Sequence, residues 1–270
     1  MKRAWKKTVL LGALVLLAAM LALGSGCAPP DPEPQPPTPP SEDHEEEGMY
    51  RDGTFEAVSQ GDVRGYAQVS LTLENDEIVD VSIVEFDGVG MEKIYEDYHT
   101  RFPQLEDAHN ELAASMIEEN TWDVDVISGA TTTSEKTREA ARFALERASV
   151  EEADMEYFDG TFMAISDTTE RGWGIAWVTL ENDEIADIVL EGTMPALEDG
   201  EPVFDEVDRQ VFVLKDEEYP WEPYHEAKDA IAEDMLETQS PDVDTYTEAT
   251  GSSNQWMQAV ERAMEKAETR

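Results

Sequence analysis

Thr72-Leu73-Glu74-Asn75-Asp76-Glu77-Ile78 recurs without a change as Thr179-Leu180-Glu181-Asn182-Asp183-Glu184-Ile185, 107 residues later. At the same offset Asp52-Gly53-Thr54-Phe55 returns as Asp159-Gly160-Thr161-Phe162. Two ungapped matches at one spacing mark an internal repeat, which has to be recognised before anything else is inferred about the fold. Further along the offset becomes 119: Met116 matches Met235, Asp125 matches Asp244, and Ala130-Thr131 matches Ala249-Thr250. The second copy has therefore gained twelve residues between Ile185 and the segment from Tyr224 to Thr238. The two copies are assigned to residues 49–150 and 155–270.

Each copy reads alike. Ala67, Val69, Leu71 and Leu73 alternate along Tyr66 to Leu73, a Glu-Asn-Asp-Glu turn follows, and Ile78 to Val84 returns, which predicts a β-hairpin. Helical spacing of Ala108, Leu112, Ala113, Met116 and Ile117 predicts a helix over 107–119, and Ala227, Ala230, Ile231, Met235 and Leu236 predict its counterpart over 224–238. A last helix is expected over Ser134 to Ala148 in one copy and Ser253 to Ala267 in the other. Strands followed by segregated helices make the fold class α+β, with two small domains in tandem.

The 62 acidic residues against 19 Lys and Arg give a net charge of −43. A nucleic-acid partner is excluded, because nothing would displace counterions from its phosphates. Forty per cent apolar residues, with six Trp, eight Tyr and eight Phe, are too many for a disordered acidic tail. One cysteine rules out an intramolecular disulfide and a cysteine-ligated metal cluster.

That cysteine closes a leader. Lys2, Arg3, Lys6 and Lys7 precede an apolar run from Thr8 to Leu23 and the small residues Gly24-Ser25-Gly26, so residues 1–26 read as an export signal. Cys27 just after it resembles the lipidated cysteine of bacterial lipoproteins, although Gly24 stands where Leu is usual; an uncleaved signal anchor is the competing reading. Either places the body on the extracytoplasmic face of the membrane. Removal of the signal takes the charge from −43 to −47. Residues 27–48 form a tether with eight of the fourteen prolines, and polyproline geometry over twenty residues reaches about 60 Å. His44 within it reads as a solvated side chain.

Ahead of the last helix of the first copy stands Asp125-Val126-Ile127-Ser128-Gly129-Ala130-Thr131. Gly129 permits a tight turn of positive φ that aims successive N–H groups into one concavity. Thr132 and Glu135 have the spacing of a capping box, which would start a helix whose positive end faces Thr131. Such a place suits a phosphate, and an ordinary capped helix would carry the same signature. Lys136, Arg138 and Arg142 follow, and would offset the surrounding acid.

The run D-x-x-S-G-A-T before this helix, with the opening D-G-T-F and the amphipathic hairpin, resembles the FMN-binding domain found in the sodium-pumping NADH:quinone reductase and in the Rnf complex. The same domain occurs in exported electron-transfer lipoproteins. The resemblance implies that a flavin transferase splits FAD and leaves FMN esterified through its phosphate to Thr131, with Asp125, Ser128, Gly129 and Ala130 as the recognised sequence. It also implies an electron carrier more than a stand-alone enzyme. The donor would be a membrane quinol-oxidising complex or other donor, and the recipient an external acceptor or reductase. The alternative is a ligand-binding or sensory lipoprotein with non-covalent FMN or another ligand.

The second copy keeps Asp244, Thr247, Ala249 and the acceptor position Thr250, but Glu248 replaces the glycine. A side chain is penalised at positive φ and a carboxylate repels a phosphate. Against that, Ser252 and Gln255 repeat the capping-box spacing, and Gly251 adds freedom. Flavinylated and degenerate readings of this copy both stand. His99, His109 and His225 lack metal-site spacing, so no metal site is expected. Trp173, Trp177, Trp221 and Trp256 crowd the second copy and read as core, though one could stack on a flavin ring.

Overall fold

The structure is a computed structural model that describes residues 48–270, apart from 152, 206 and 207. The leader, Cys27 and residues 28–47 of the tether therefore lie outside the described residues. The body is α+β. Strands β1 (Gly53–Val58), β2 (Tyr66–Glu74) and β3 (Glu77–Phe86) form an antiparallel sheet in that order. A short α1 (Tyr95–Tyr98), then α2 (Leu105–Glu119) and α3 (Thr131–Ala148) follow. The same order returns as β4 (Gly160–Ile165), β5 (Gly174–Glu181) and β6 (Glu184–Pro195), then α4 (Glu222–Thr238) and α5 (Thr250–Ala267).

The identical heptapeptides make identical turns. Asn75 and Asp76 take φ of 52° and 65°, and Asn182 and Asp183 take 54° and 62°. Positive φ at both central residues is what a type I′ two-residue hairpin turn requires, and Asn and Asp tolerate it better than other residues that carry a Cβ. The twelve extra residues of the second copy lie where expected. They lengthen β6 and add the small hairpin β7 (Leu197–Glu198) and β8 (Glu201–Pro202), and then β9 (Phe212–Leu214), which pairs with the end of β6.

In the first sheet Val69, Leu71 and Leu73 are buried beneath α3, while Gln68, Ser70 and Thr72 on the opposite face are half-buried. In β5 the burial is continuous from Gly174 to Val178. Alternation sends Ala176, Val178 and Leu180 toward α5 and Ile175 and Trp177 the other way, so this strand is covered on both faces. The first repeat supplies part of the second cover: the Trp177 ring N–H donates to the Asp62 carbonyl at 3.3 Å. Phe143 of α3 stacks on Phe158 with centroids 4.2 Å apart, and lies 6.0 Å from Phe162 of β4. The repeats thus share one core.

Each repeat also closes on itself. Tyr50 bridges to Ser149 and Arg51 N–H donates to the Ala148 carbonyl at 2.8 Å; in the second copy Tyr157 bridges to Glu268, and Phe158 N–H donates to Ala267 at 2.8 Å.

One contact between the repeats carries a charge into apolar surroundings. The half-buried Lys266 ammonium of α5 lies 3.9 Å from the Tyr66 ring centroid and donates to the Tyr66 hydroxyl. Desolvation pushes Lys266 down from 10.5 to about 8; Glu56 opposes that shift and Arg262 adds to it. A lysine depressed in the folded state destabilises the fold when protonated, so stability rises as pH climbs from about 8 toward 10.5. Lys266→Met is therefore expected to stabilise the body by about 1–4 kcal/mol at pH 7 in urea unfolding and to flatten that rise. An unchanged pH slope would count against this account.

Candidate functional site

The motif ahead of α3 is a turn followed directly by a helix. Gly129 takes φ +85°, and a Cβ there would sit 2.9 Å from Gln104 Oε1. Ala130 N–H donates to the Ile127 carbonyl at 3.0 Å, and Ser134 N–H makes the first helical bond to Ala130 at 2.9 Å. Asp125, Ser128, Gly129 and Thr131 are exposed around the buried Ala130.

The expected capping box does not form. The cap is Ala130, which has no side-chain oxygen, so α3 begins three residues earlier than expected and Thr132 falls inside its first turn. Ser134 does the tying instead: its hydroxyl accepts from Ile127 N–H and donates to the Ala130 carbonyl, both at 3.0 Å. The backbone N–H groups of Thr131, Thr132 and Thr133 stay open at the helix end, where the partial positive charge gathers.

The three cations expected to offset the surrounding acid are each paired with a carboxylate. Lys136 pairs with Asp62 at 2.7 Å, Arg138 with Asp123, and Arg142 with Glu146 at 2.6 Å, because each has a carboxylate within reach of its own helix face. A cation from outside the helix reaches the first turn of α3: Arg64, whose Nη1 lies 3.5 Å from Thr132 Oγ1. Arg64 occupies the turn between β1 and β2, closed by Asp62 N–H to Gly65 at 3.1 Å and Gly65 N–H to Asp62 at 2.9 Å. Burial raises the Asp62 carboxyl, but Lys136 and the Arg64 N–H and guanidinium outweigh it and hold the pKa below its ordinary value.

Beneath the first turn of α3 lies a buried polar cluster. Glu85 of β3 accepts from Lys93 at 2.7 Å and meets His109 Nε2 of α2 at 3.3 Å; Tyr95 hydroxyl and His109 Nδ1 are 2.9 Å apart. The Thr133 hydroxyl also bonds this carboxylate. Desolvation alone would raise Glu85, yet His109, Lys93 and Thr133 hold it down at about 2. His109 is thus a structural ligand of a carboxylate. Among the described residues no group of His, Cys, Asp and Glu could hold a metal ion.

Residues 63–146 match the family model of the FMN-binding domain. FMN is the cofactor that this match supports for the first repeat, and the second repeat lies outside the matched residues. No curated protein matches the chain. A crystal structure of the CPE2226 protein from Clostridium perfringens is 25% identical over 37% of this chain and 89% of that one, with a TM-score of 0.32.

The residues present fit the phosphate end of FMN. Three helix-start N–H donors, a preceding turn held at φ +85° by Gly129, and an adjacent guanidinium are the donor set that an anionic diester needs. No helix among the described residues is long and apolar enough to cross a membrane.

The second repeat copies the first repeat's turn, and Arg171 stands at the place of Arg64 at the 107 offset. Ala249 caps α5, and Ser253 accepts from Tyr246 N–H at 3.1 Å and donates to Ala249 at 3.0 Å, as Ser134 does. The Ser252 and Gln255 box fails for the same reason as its counterpart, and Gln255 reaches the Gly172 carbonyl at 3.3 Å. Glu248 stands at φ +75° beside the exposed Asp244, Thr247 and Thr250. A groove of about 500 Å³ there is lined by the carboxylates Glu226, Asp234, Asp244 and Glu248, whose field repels an anion. Arg262 is engaged with Ile165 and Asp167 and offers no compensation at Thr250. Trp173, Trp177 and Trp256 are core residues, whereas Trp221 is exposed at the start of α4.

Relief of the strained backbone gives a direct check. Glu248→Gly is expected to stabilise the protein by about 1 kcal/mol, the cost of a Cβ in the left-handed region. Thermal unfolding measures it; a loss of stability would show that the carboxylate holds the turn.

Proposed function

We propose that this protein is an extracytoplasmic, membrane-anchored flavoprotein, lipidated on Cys27, with FMN joined through a phosphoester to Thr131, that relays electrons from a membrane donor to an external acceptor or reductase. The observation that carries this reading is the open first turn of α3, where the exposed Thr131 hydroxyl stands beside three unused N–H donors and Arg64 within Asp125-Val126-Ile127-Ser128-Gly129-Ala130-Thr131. Attachment by a flavin transferase breaks the diphosphate of FAD: the Thr131 oxygen takes the FMN phosphorus, AMP leaves, and the hydroxyl proton is released.

Bound FMN exchanges one or two electrons, which suits a carrier between quinol donors and one-electron acceptors. The chain's own part is to hold the diester. The α3 N–H groups and Arg64 would hold its charge, while Ser134 fixes the preceding turn and the Glu85 cluster bonds Thr133 in the first turn of the helix. A covalent link keeps the redox group from diffusing away outside the cell. Thr250, among carboxylates, is assigned no flavin.

Intact-mass measurement after co-expression with a flavin transferase tests the reading. A gain of one FMN less one water is expected. No gain would leave a ligand-binding lipoprotein as the better description, and a gain of two would extend attachment to Thr250.

A further inference from the structure

Resting on that reading of the first repeat, we propose that the second repeat is a working part of the flavin site: it holds the Asp62–Gly65 turn so that Arg64 is the side chain that clamps the FMN phosphate. Arg64 itself is exposed, on a two-residue loop beside Val63, and its side chain meets the end of α3 through one long bond, 3.5 Å to Thr132 Oγ1. The hold comes from outside the repeat. Trp177 of β5 donates to the Asp62 carbonyl at 3.3 Å, and Gly61 N–H donates to Thr161 of β4 at 2.8 Å. Thr161 N–H donates back to the Gln60 side chain at 3.1 Å. Met163 lies so near that a Cβ on Gly61 would stand 2.4 Å from its own Cβ.

From the other side Asp62 accepts from Arg64 N–H and from Lys136, both at 2.7 Å. The turn is thus gripped between β4 and β5 of one repeat and α3 of the other. Of the four α3 cations, Lys136, Arg138 and Arg142 are committed to Asp62, Asp123 and Glu146, and Arg147 to the carbonyls of Glu56, Lys266 and Glu268, which leaves the planar, permanently charged guanidinium of Arg64 for the diester. This gives the second repeat a use that does not require it to bind flavin.

Three variants of the full chain test the inference: Arg64→Gln, Arg64→Lys and Trp177→Phe. Two readouts are followed, the rate at which the FMN adduct appears in the presence of a transferase and the affinity for free FMN by fluorescence titration. Loss of one charge-assisted contact predicts about a tenfold drop in both for Arg64→Gln, with partial recovery in Arg64→Lys. Trp177→Phe keeps a ring in the core but loses the donor; it should lower both readouts about threefold and speed hydrogen exchange at the Gly65 amide. Wild-type rate and affinity in Arg64→Gln would overturn the clamp, and faster exchange in Trp177→Phe without a change in FMN readouts would overturn the role of the second repeat. A wild-type protein that binds FMN without forming an adduct, with Arg64→Gln weakened, would sink the covalent reading and leave this one standing. No FMN binding at all would sink both.

Discussion

Thr131→Ala is expected to abolish the FMN adduct, returning the intact mass to that of the bare chain while Thr250→Ala leaves the adduct untouched. The exposed hydroxyl is the attachment atom, so its removal is all or none. The fold should not suffer, because Thr131 occupies the first position of α3 and contributes no cap. Exposed substitutions of this kind usually stay within about 0.5 kcal/mol. Thr131→Ser retains an oxygen at the same place and should keep an adduct. Mass spectrometry of the three purified proteins, with peptide mapping of residues 125–138, decides it. An adduct that survives in Thr131→Ala would move the attachment to another residue.

Glu85→Ala is expected to destabilise the body by about 3–5 kcal/mol at pH 7, because it leaves the Lys93 ammonium facing a buried void without its partner. The same carboxylate makes a distinct contribution to acid stability. Its pKa falls from 4.5 to about 2 on folding, so the folded protein holds fewer protons there than the unfolded chain. That stability is fully present above pH 4.5 and is lost as pH falls toward 2. Glu85→Gln should remove this dependence, so the difference between wild type and variant should shrink between those limits. Urea unfolding at stepped pH measures both effects. A constant difference across the range would mean that Glu85 is not the titrating group.

The duplicated heptapeptide makes the hairpins legible in the sequence alone, because an Asn-Asp pair between alternating strands specifies one turn chemistry. The helix cores are legible from spacing as well. Their starts are not: Thr132 with Glu135 and Ser252 with Gln255 have the capping-box pattern two and three residues past the true caps, and the true tie is a serine four residues past an alanine cap. Recurrence of Ser134 as Ser253 at the 119 offset is the available signal. Arg64 is hidden for another reason. It precedes Thr131 by most of a repeat, and only the return of the sheet under α3 joins them. Glu85, Lys93, Tyr95 and His109 likewise come from separate segments, each unremarkable in its local pattern.

The bridges from Tyr50 to Ser149 and from Tyr157 to Glu268 mean that the polypeptide arrives and departs at one corner of each repeat. A gene segment with coincident ends can be duplicated head to tail by a short joining peptide, with no rerouting of the ancestor. It can also be circularly permuted, or a third unit appended after Arg270, at little cost to packing. The corner lies at the C-terminal end of the eighteen-residue α3, about 27 Å along the helix from Thr131. Evolution could therefore change the splice site and the redox end of the molecule independently.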